Sequence, residues 1–336
     1  MKALCLVAPT LLVCAASAFA NVTVSSPVNG APVVSPFTLA ATASPCSAQP
    51  TAAMGYSFDN SSNTTIVNGT SVAAHVTGAV GAHILHVKSW GNKGASCVAS
   101  VAITILPSPA ANFPANAVAV TGIHALKTWQ ATFDGGTGSG SATGTMSLVG
   151  SPSVSGTARE FLTTYTNFGG ERYSALFGTD STATNFFYDT WIYPAGPMSD
   201  VANVEIDLNQ VMANGETVIF GFQCDGWSGT WDYTTNAGTP QSPKDLWLHS
   251  TSSCNPRGWT TNTWHHVQIQ FSRDSHGNVT YRSVWFDGAE QEINATVPSA
   301  FALGWGPALL TNFQVDGIGG SGSAIVYLDN LTVYRW

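Results

Sequence analysis

Charged side chains are scarce in this sequence. Asp, Glu, Lys and Arg make up 9% of its 336 residues, against about 25% in an ordinary soluble domain. Apolar residues still account for 44%, so the chain lacks the low hydrophobicity and high net charge of disordered proteins. The shortage of Glu, Lys and Arg, beside many β-branched and turn residues, excludes a long helical protein. The net charge is −8 and no basic run is present, which excludes a nucleic-acid partner. After residue 20 no stretch reaches the roughly 18 apolar residues of a membrane span. No CxxC pair offers a thiolate metal site. Gly135 to Gly144 is Gly/Ser-rich, but it lacks the Gly-Lys-Ser/Thr ending of a phosphate loop and reads as a flexible surface loop. No cofactor is expected, and nothing in the sequence supports a calcium site. What remains is an all-β chain, long enough for about two domains of roughly 150 residues.

The start of the chain reads as a secretory signal peptide, residues 1–20. Met1-Lys2 is positive, Ala3 to Val13 is apolar, and Ala18-Phe19-Ala20 is a cleavage site before Asn21. The expected location is extracellular or periplasmic. Four cysteines follow the signal: Cys46, Cys97, Cys224 and Cys254. An even number in an exported protein implies disulfides. Of the three pairings, the division into domains favours Cys46–Cys97 and Cys224–Cys254.

Residues 21–106 carry only Asp59, Lys88 and Lys93 as charges. Short strands such as Val22-Thr23-Val24, His83 to Trp90 and Val98 to Ile105 alternate with Pro, Gly, Asn and Ser, the pattern of a β-sandwich. His83 and His86 lie three apart on a strand, so they point to opposite faces and do not chelate. Val24-Ser25-Ser26-Pro27-Val28-Asn29-Gly30, the His83–Trp90 strand and the closing Val101 to Leu106 strand resemble bacterial immunoglobulin-like modules. That resemblance implies a spacer or adhesive unit. Residues 107–117 are a linker stiffened by Pro107, Pro109 and Pro114. Residues 118–336 hold 18 acids, 8 bases and ten of the eleven Trp. Their many strands and turns suggest a large jelly roll.

One stretch has a pattern suited to chemistry. Val204 to Met212 alternates as a strand, and Asn214-Gly215 is a two-residue hairpin signal. A two-residue turn sets 213 opposite 216 and 210 opposite 219. Continued unbroken, that register mixes Glu205 and Asp207 with Phe220 and Phe222, a poor place for carboxylates. A one-residue bulge near Leu208-Asn209 repairs it. Ile206, Leu208 and Val211 then face the core, and Glu205, Asp207 and Gln210 share a polar face with Gly221, Gln223 and Asp225. A bulge is therefore predicted.

Glu205-Ile206-Asp207-Leu208-Asn209-Gln210 resembles the catalytic strand of laminarinase- and agarase-type glycoside hydrolases of family 16. Trp264 to Val267, Val284 to Gly288 and Val326 to Tyr334 resemble later strands of the same concanavalin A-like fold. The resemblance implies a nucleophile at Glu205, assisted by Asp207, and an acid/base at Gln210. An amide cannot transfer the proton, a step worth about 10²–10⁴ in rate, and retaining glycosidases need two carboxyls about 5–5.5 Å apart. The expected protein is thus a secreted polysaccharide-binding jelly roll that does not hydrolyse its ligand. Its rivals are a glycoside hydrolase or polysaccharide lyase with a non-standard acid/base, for which Asp225 shares the face but lies near Glu205 and not Gln210, and a surface adhesion or structural protein.

Sugar rings present apolar CH faces and hydroxyls, which suit indole platforms and polar acceptors. Trp227 and Trp231, in Gly226 to Tyr233, are the expected platforms, with Gln210, Gln223 and Asp225 as polar contacts. His266 shares the polar side of its strand with Gln268 and Gln270 and is expected at the same groove. Oligomeric state has no signature in the sequence.

Overall fold

The computed structural model describes residues 21–60, 62–134 and 140–336. The signal peptide and residues 135–139 lie outside the described residues. The architecture is all-β, with four sheets among the described residues. Two sheets are built from residues before 107 and two from residues after 117.

In the first sandwich, Val22–Ser26, Phe37–Ala43 and Ser71–Val76 face a five-stranded sheet. Within the latter, Ala31–Val34 runs parallel to Ser96–Leu106. Leu39, Met54, Leu85, Val87 and Ile105 form its core and are fully buried. The Cys46–Cys97 disulfide closes it. His83 pairs with Asp59 at 2.8 Å, while His86 turns to Ser100.

The linker does not hang free. Pro109–Asn112 makes a turn of 3-10 helix. Phe113 then sets its ring 5.0 Å from those of Phe187, Tyr334 and Trp336.

The second sandwich carries the site. Its front sheet has nine strands: β1 (Gln130–Asp134), β2 (Gly170–Gly178), β3 (Val201–Val211), β4 (Thr217–Phe220), β5 (Phe222–Asp225), β6 (Thr230–Asn236), β7 (Asp245–Ser253), β8 (Ala300–Phe301) and β9 (Leu309–Gly317). Their order is β1-β2-β9-β3-β5-β6-β7, with β4 also on β3 and β8 on β4. An eight-stranded back sheet includes Asn185–Pro194, His265–Arg273 and Ser321–Arg335. Ser141–Val149 belongs to it and pairs along its length with Ala158–Thr166. The C-terminal part of the expected Gly135–Gly144 loop is therefore strand.

The predicted bulge is absent. β3 runs against β9 in unbroken register from Asn203↔Asp316 to Gln210↔Leu309. On its other side Leu208 faces Phe220 and Val204 faces Cys224, also without a shift. The correction comes from the turn. Val211↔Thr217 is the last pair, and Met212 N–H donates to Glu216 O. A five-residue turn therefore replaces the two-residue one and moves the register by one. That shift alone sorts the hairpin: Val204, Ile206 and Leu208 join Phe220, Phe222 and Cys224 in the core.

Trp231 pairs with Cys224 on this core side. It is fully buried and stacks on Phe222, with ring centroids 5.3 Å apart. The Cys224–Cys254 bridge ties β5 to the segment after β7 across 30 residues. A loop of that size contributes about 3–4 kcal/mol, mainly by restricting the unfolded chain.

The first sandwich rests on the outer face of the back sheet. Thr38 Oγ1 donates to Trp264 O at 2.9 Å, and His75 meets the Trp191 ring edge-on. Gly288 has φ +84°, and a Cβ there would meet Val34 N at 2.5 Å, so the close approach needs glycine.

Removing the stacked indole leaves a large cavity. Trp231→Ala is expected to lose about 3–5 kcal/mol of stability. Trp227→Ala, at an exposed ring, is expected to lose under about 0.5 kcal/mol. Urea unfolding of the two variants measures both.

Candidate functional site

Because side chains alternate along a strand, the face of β3 opposite the core presents Asn203, Glu205, Asp207 and Asn209. All four are buried. Cross-strand pairing extends each into a row. Glu205 faces Gln314 on β9 and Gln223 on β5; Gln314 faces Arg172, Gln223 faces Asp232, and Asp232 faces His249. This row crosses six strands, about 24 Å at ordinary strand spacing. Beside it run two shorter rows, Asp316–Asn203–Asp225 and Asn312–Asp207.

The Asp207 row contains a notch. Gly221 separates β4 from β5, and a Cβ there would meet Thr234 Cγ2 and Oγ1 at 2.5 Å. At this break Phe222 N–H donates to the Asp207 carboxylate, at 3.2 Å.

Together these residues floor a groove of about 930 Å³. Loops after β5 and before β2 bring Trp227 and Phe168 to one side, with rings 5.8 Å apart. The segment before β9 brings Leu303 and Trp305 to the other. Trp227 is 59% exposed and Trp305 44%. Trp247 lines the groove from β7.

The sequence-predicted residues divide. Glu205, Asp207, Gln223, Asp225 and Trp227 line the groove. Gln210, Trp231 and His266 do not. Without a bulge, Gln210 falls on the opposite face of β3 from Glu205. It is fully buried there, donating to Asp180 O and Ala183 O and accepting from Arg273. Asn209 takes the groove position next after Asp207. Trp231 lies in the core. His266 sits on the outer face of the back sheet, stacked on Trp191 and 2.7 Å from Asp189 Oδ1. Its polar strand face is covered by the first sandwich instead of lining the groove.

Sequence reasoning missed Asp232, Trp247, His249, Trp305, Gln314 and Asp316. A local signal existed for two of them: Asp245, Trp247 and His249 alternate with Leu246 and Leu248. Gln314 and Asp316 reach the site only through pairing with β3 more than a hundred residues away.

Amides hold most of the floor. Asn203 Nδ2 donates to Gln223 Oε1, Asn312 Nδ2 to Asp207 Oδ2, and Gln314 Nε2 to both Asp316 oxygens. Asn209 Nδ2 and Gln314 Oε1 are buried and have no partner. Burial pushes the Glu205 carboxyl well above the usual range, and the Asp207 charge adds to this. Burial raises Asp207 as well, against a hydrogen bond from Glu205. The adjacent pair thus holds a proton more readily than free carboxyls do. Asp316 is pushed up to about 6 by burial, opposed by hydrogen bonds from Gln314 and Asn203.

Asp225, Asp232 and His249 each place a ligand atom within 4.8 Å of the others. The cluster is already internally satisfied. Asp225 accepts from Trp227 N and Ser228 N, and Asp232 from Thr230 Oγ1 and His249.

No protein-family model and no curated protein sequence matches the chain. The chain has low-scoring similarity to several solved structures. One, from work on promiscuous specificity in β-sandwich carbohydrate-binding modules, is 12% identical, covers 93% of this chain and 96% of its own, and has a TM-score of 0.31. Cellulose induced protein Cip1 is 14% identical over 56% of this chain and 85% of its own, with a TM-score of 0.36. A family 11 carbohydrate-binding module from Clostridium thermocellum, in complex with a β-1,3-1,4-mixed-linked tetrasaccharide, is 14% identical over 62% and 89%, with a TM-score of 0.26. At these scores the likeness assigns no role to any residue of the groove.

The raised acids make stability depend on pH. A carboxyl whose folded pKa exceeds its unfolded value of about 3.9 stabilises fully below that value. The contribution is lost as pH rises through the folded value, about 6 for Asp316. Asp316→Asn is therefore expected to stabilise the protein at pH 7.5 by about 1–2 kcal/mol, and to change it little at pH 4. Thermal melts at the two pH values check this.

Proposed function

We propose that the chain binds a glycan in the front-sheet groove and holds it without cleaving it. The observation that carries this is the groove's construction: a polar floor across six strands, with exposed indoles at both strand ends. Trp227 and Trp305 would stack on sugar faces, and the amides and carboxyls would meet hydroxyls. A floor of about 24 Å suits an extended oligosaccharide better than a single small ligand. Two disulfides fit export to an oxidising compartment.

The non-hydrolytic part rests on Asn209 in place of the Gln210 expected from sequence. Glu205 and Asp207 are neighbours on one strand, and the next groove-facing position is an amide, which cannot act as acid or base. The likeness to family 16 strands therefore does not supply a complete catalytic set. One observation favours a hydrolytic second reading: Glu205 retains its proton more readily than a free carboxyl. An acid of that kind suits a leaving oxygen.

Pull-down on a panel of neutral, amino and acidic polysaccharides tests the binding. Retention on at least one of them is expected, with Trp227→Ala weakening it about tenfold while thermal stability holds. Absence of binding to every polysaccharide would sink the proposal. Reducing ends released by the wild type and abolished by Glu205→Gln would establish the hydrolytic reading.

A further inference from the structure

The charge inventory of the groove is one-sided. Seven carboxyl side chains line it, but only one guanidinium, that of Arg172, and one imidazole, that of His249. Both already face a carboxylate. Arg172 Nη1 lies 3.5 Å from Asp134 Oδ2, and His249 Nδ1 lies 2.8 Å from Asp232 Oδ2. At the centre of the floor, Asp316, Glu205 and Asp207 have no Lys, Arg or His within ion-pair distance among the described residues. Amide and backbone N–H groups are what meet Asp316 and Asp207.

A second observation points the same way. Gln314 sits in the central row between Arg172 and Glu205. Its amide nitrogen is committed to Asp316. Its Oε1 has no partner, and the residue is 5% exposed. A buried acceptor left open among carboxyls calls for a donor from outside the protein. Hydroxyls donate one hydrogen each. A protonated amine brings three donors and the missing positive charge. A uronate would bring a further carboxylate into a low-dielectric groove lined by seven carboxyls, whose one guanidinium and one imidazole already face a carboxylate.

We infer that the glycan bound in this groove carries protonated amino groups, and that Asp316, Glu205, Asp207 and Gln314 Oε1 receive them. The ligand class is an oligosaccharide or polysaccharide of hexosamine units with free amines. This rests on the glycan-binding reading above and narrows it to one substrate class.

Calorimetric titration with four probes of equal length tests it at pH 6.5 and low salt: a glucosamine oligomer, its N-acetylated form, a glucose oligomer and a uronic acid oligomer. The glucosamine oligomer is expected to bind at least tenfold more tightly than the acetylated and neutral ones. The uronic acid oligomer is expected not to bind. Raising the salt to about 0.5 M should shrink the preference only modestly, because buried charges are screened much less than exposed ones. Asp316→Asn, and Glu205→Gln with Asp316→Asn, should reduce the preference stepwise towards one. Trp227→Ala should weaken every bound probe alike and leave the ratio unchanged. Equal affinity for glucosamine and glucose oligomers would overturn the inference while leaving a glycan-binding groove in place. Failure of all four probes, together with failure across the polysaccharide panel, would remove both.

Discussion

The second sandwich depends on a single strand being buried on both faces. Every residue of β3, from Val201 to Val211, is withdrawn from solvent. One face needs apolar partners and finds Phe220, Phe222 and Phe313 on the neighbouring strands of its own sheet, all within the sandwich core. The other face is polar and must have its hydrogen bonds met inside the protein or by a ligand. The network of Asn203, Gln223, Asn312 and Gln314 follows from that demand. Scarcity of charge and abundance of amides are, at this strand, the same fact. Amide N–H groups satisfy carboxyl oxygens without supplying a countercharge, so the buried acids hold their protons more readily than free carboxyls do.

Much of the fold was legible because it rests on local rules. Alternating strands and the four cysteines are local, or nearly so. The all-β architecture and both disulfide pairings could be argued from them. The candidate site was legible as far as parity could take it. Glu205 and Asp207 share a face in any regular strand, and Gln223 and Asp225 share one with each other. Parity failed at the hairpin, where the turn takes five residues instead of two. That difference sent Gln210 to the core face and gave Asn209 its expected place. It also removed any need for a bulge.

Other errors came from distance along the chain. The alternation of His266, Gln268 and Gln270 correctly separates two faces of a strand. It does not say which sheet the strand joins, and that sheet is the one covered by the first sandwich. Trp227 and Trp231 look alike in sequence, yet one follows the end of β5 and the other lies inside β6 opposite Cys224. Gln314 and Asp316 were invisible because nothing near them in the chain announces a site. Their significance comes from lying beside β3.

The placement of Phe113 has a consequence for presentation. Its ring is packed against Phe187, Tyr334 and Trp336, so the connection between the sandwiches is clamped to the back of the second one. The first sandwich also lies against that back sheet, through Thr38 and His75. The groove and the first sandwich thus occupy opposite faces of the second sandwich, and the N-terminal module leaves the front sheet's open face unobstructed.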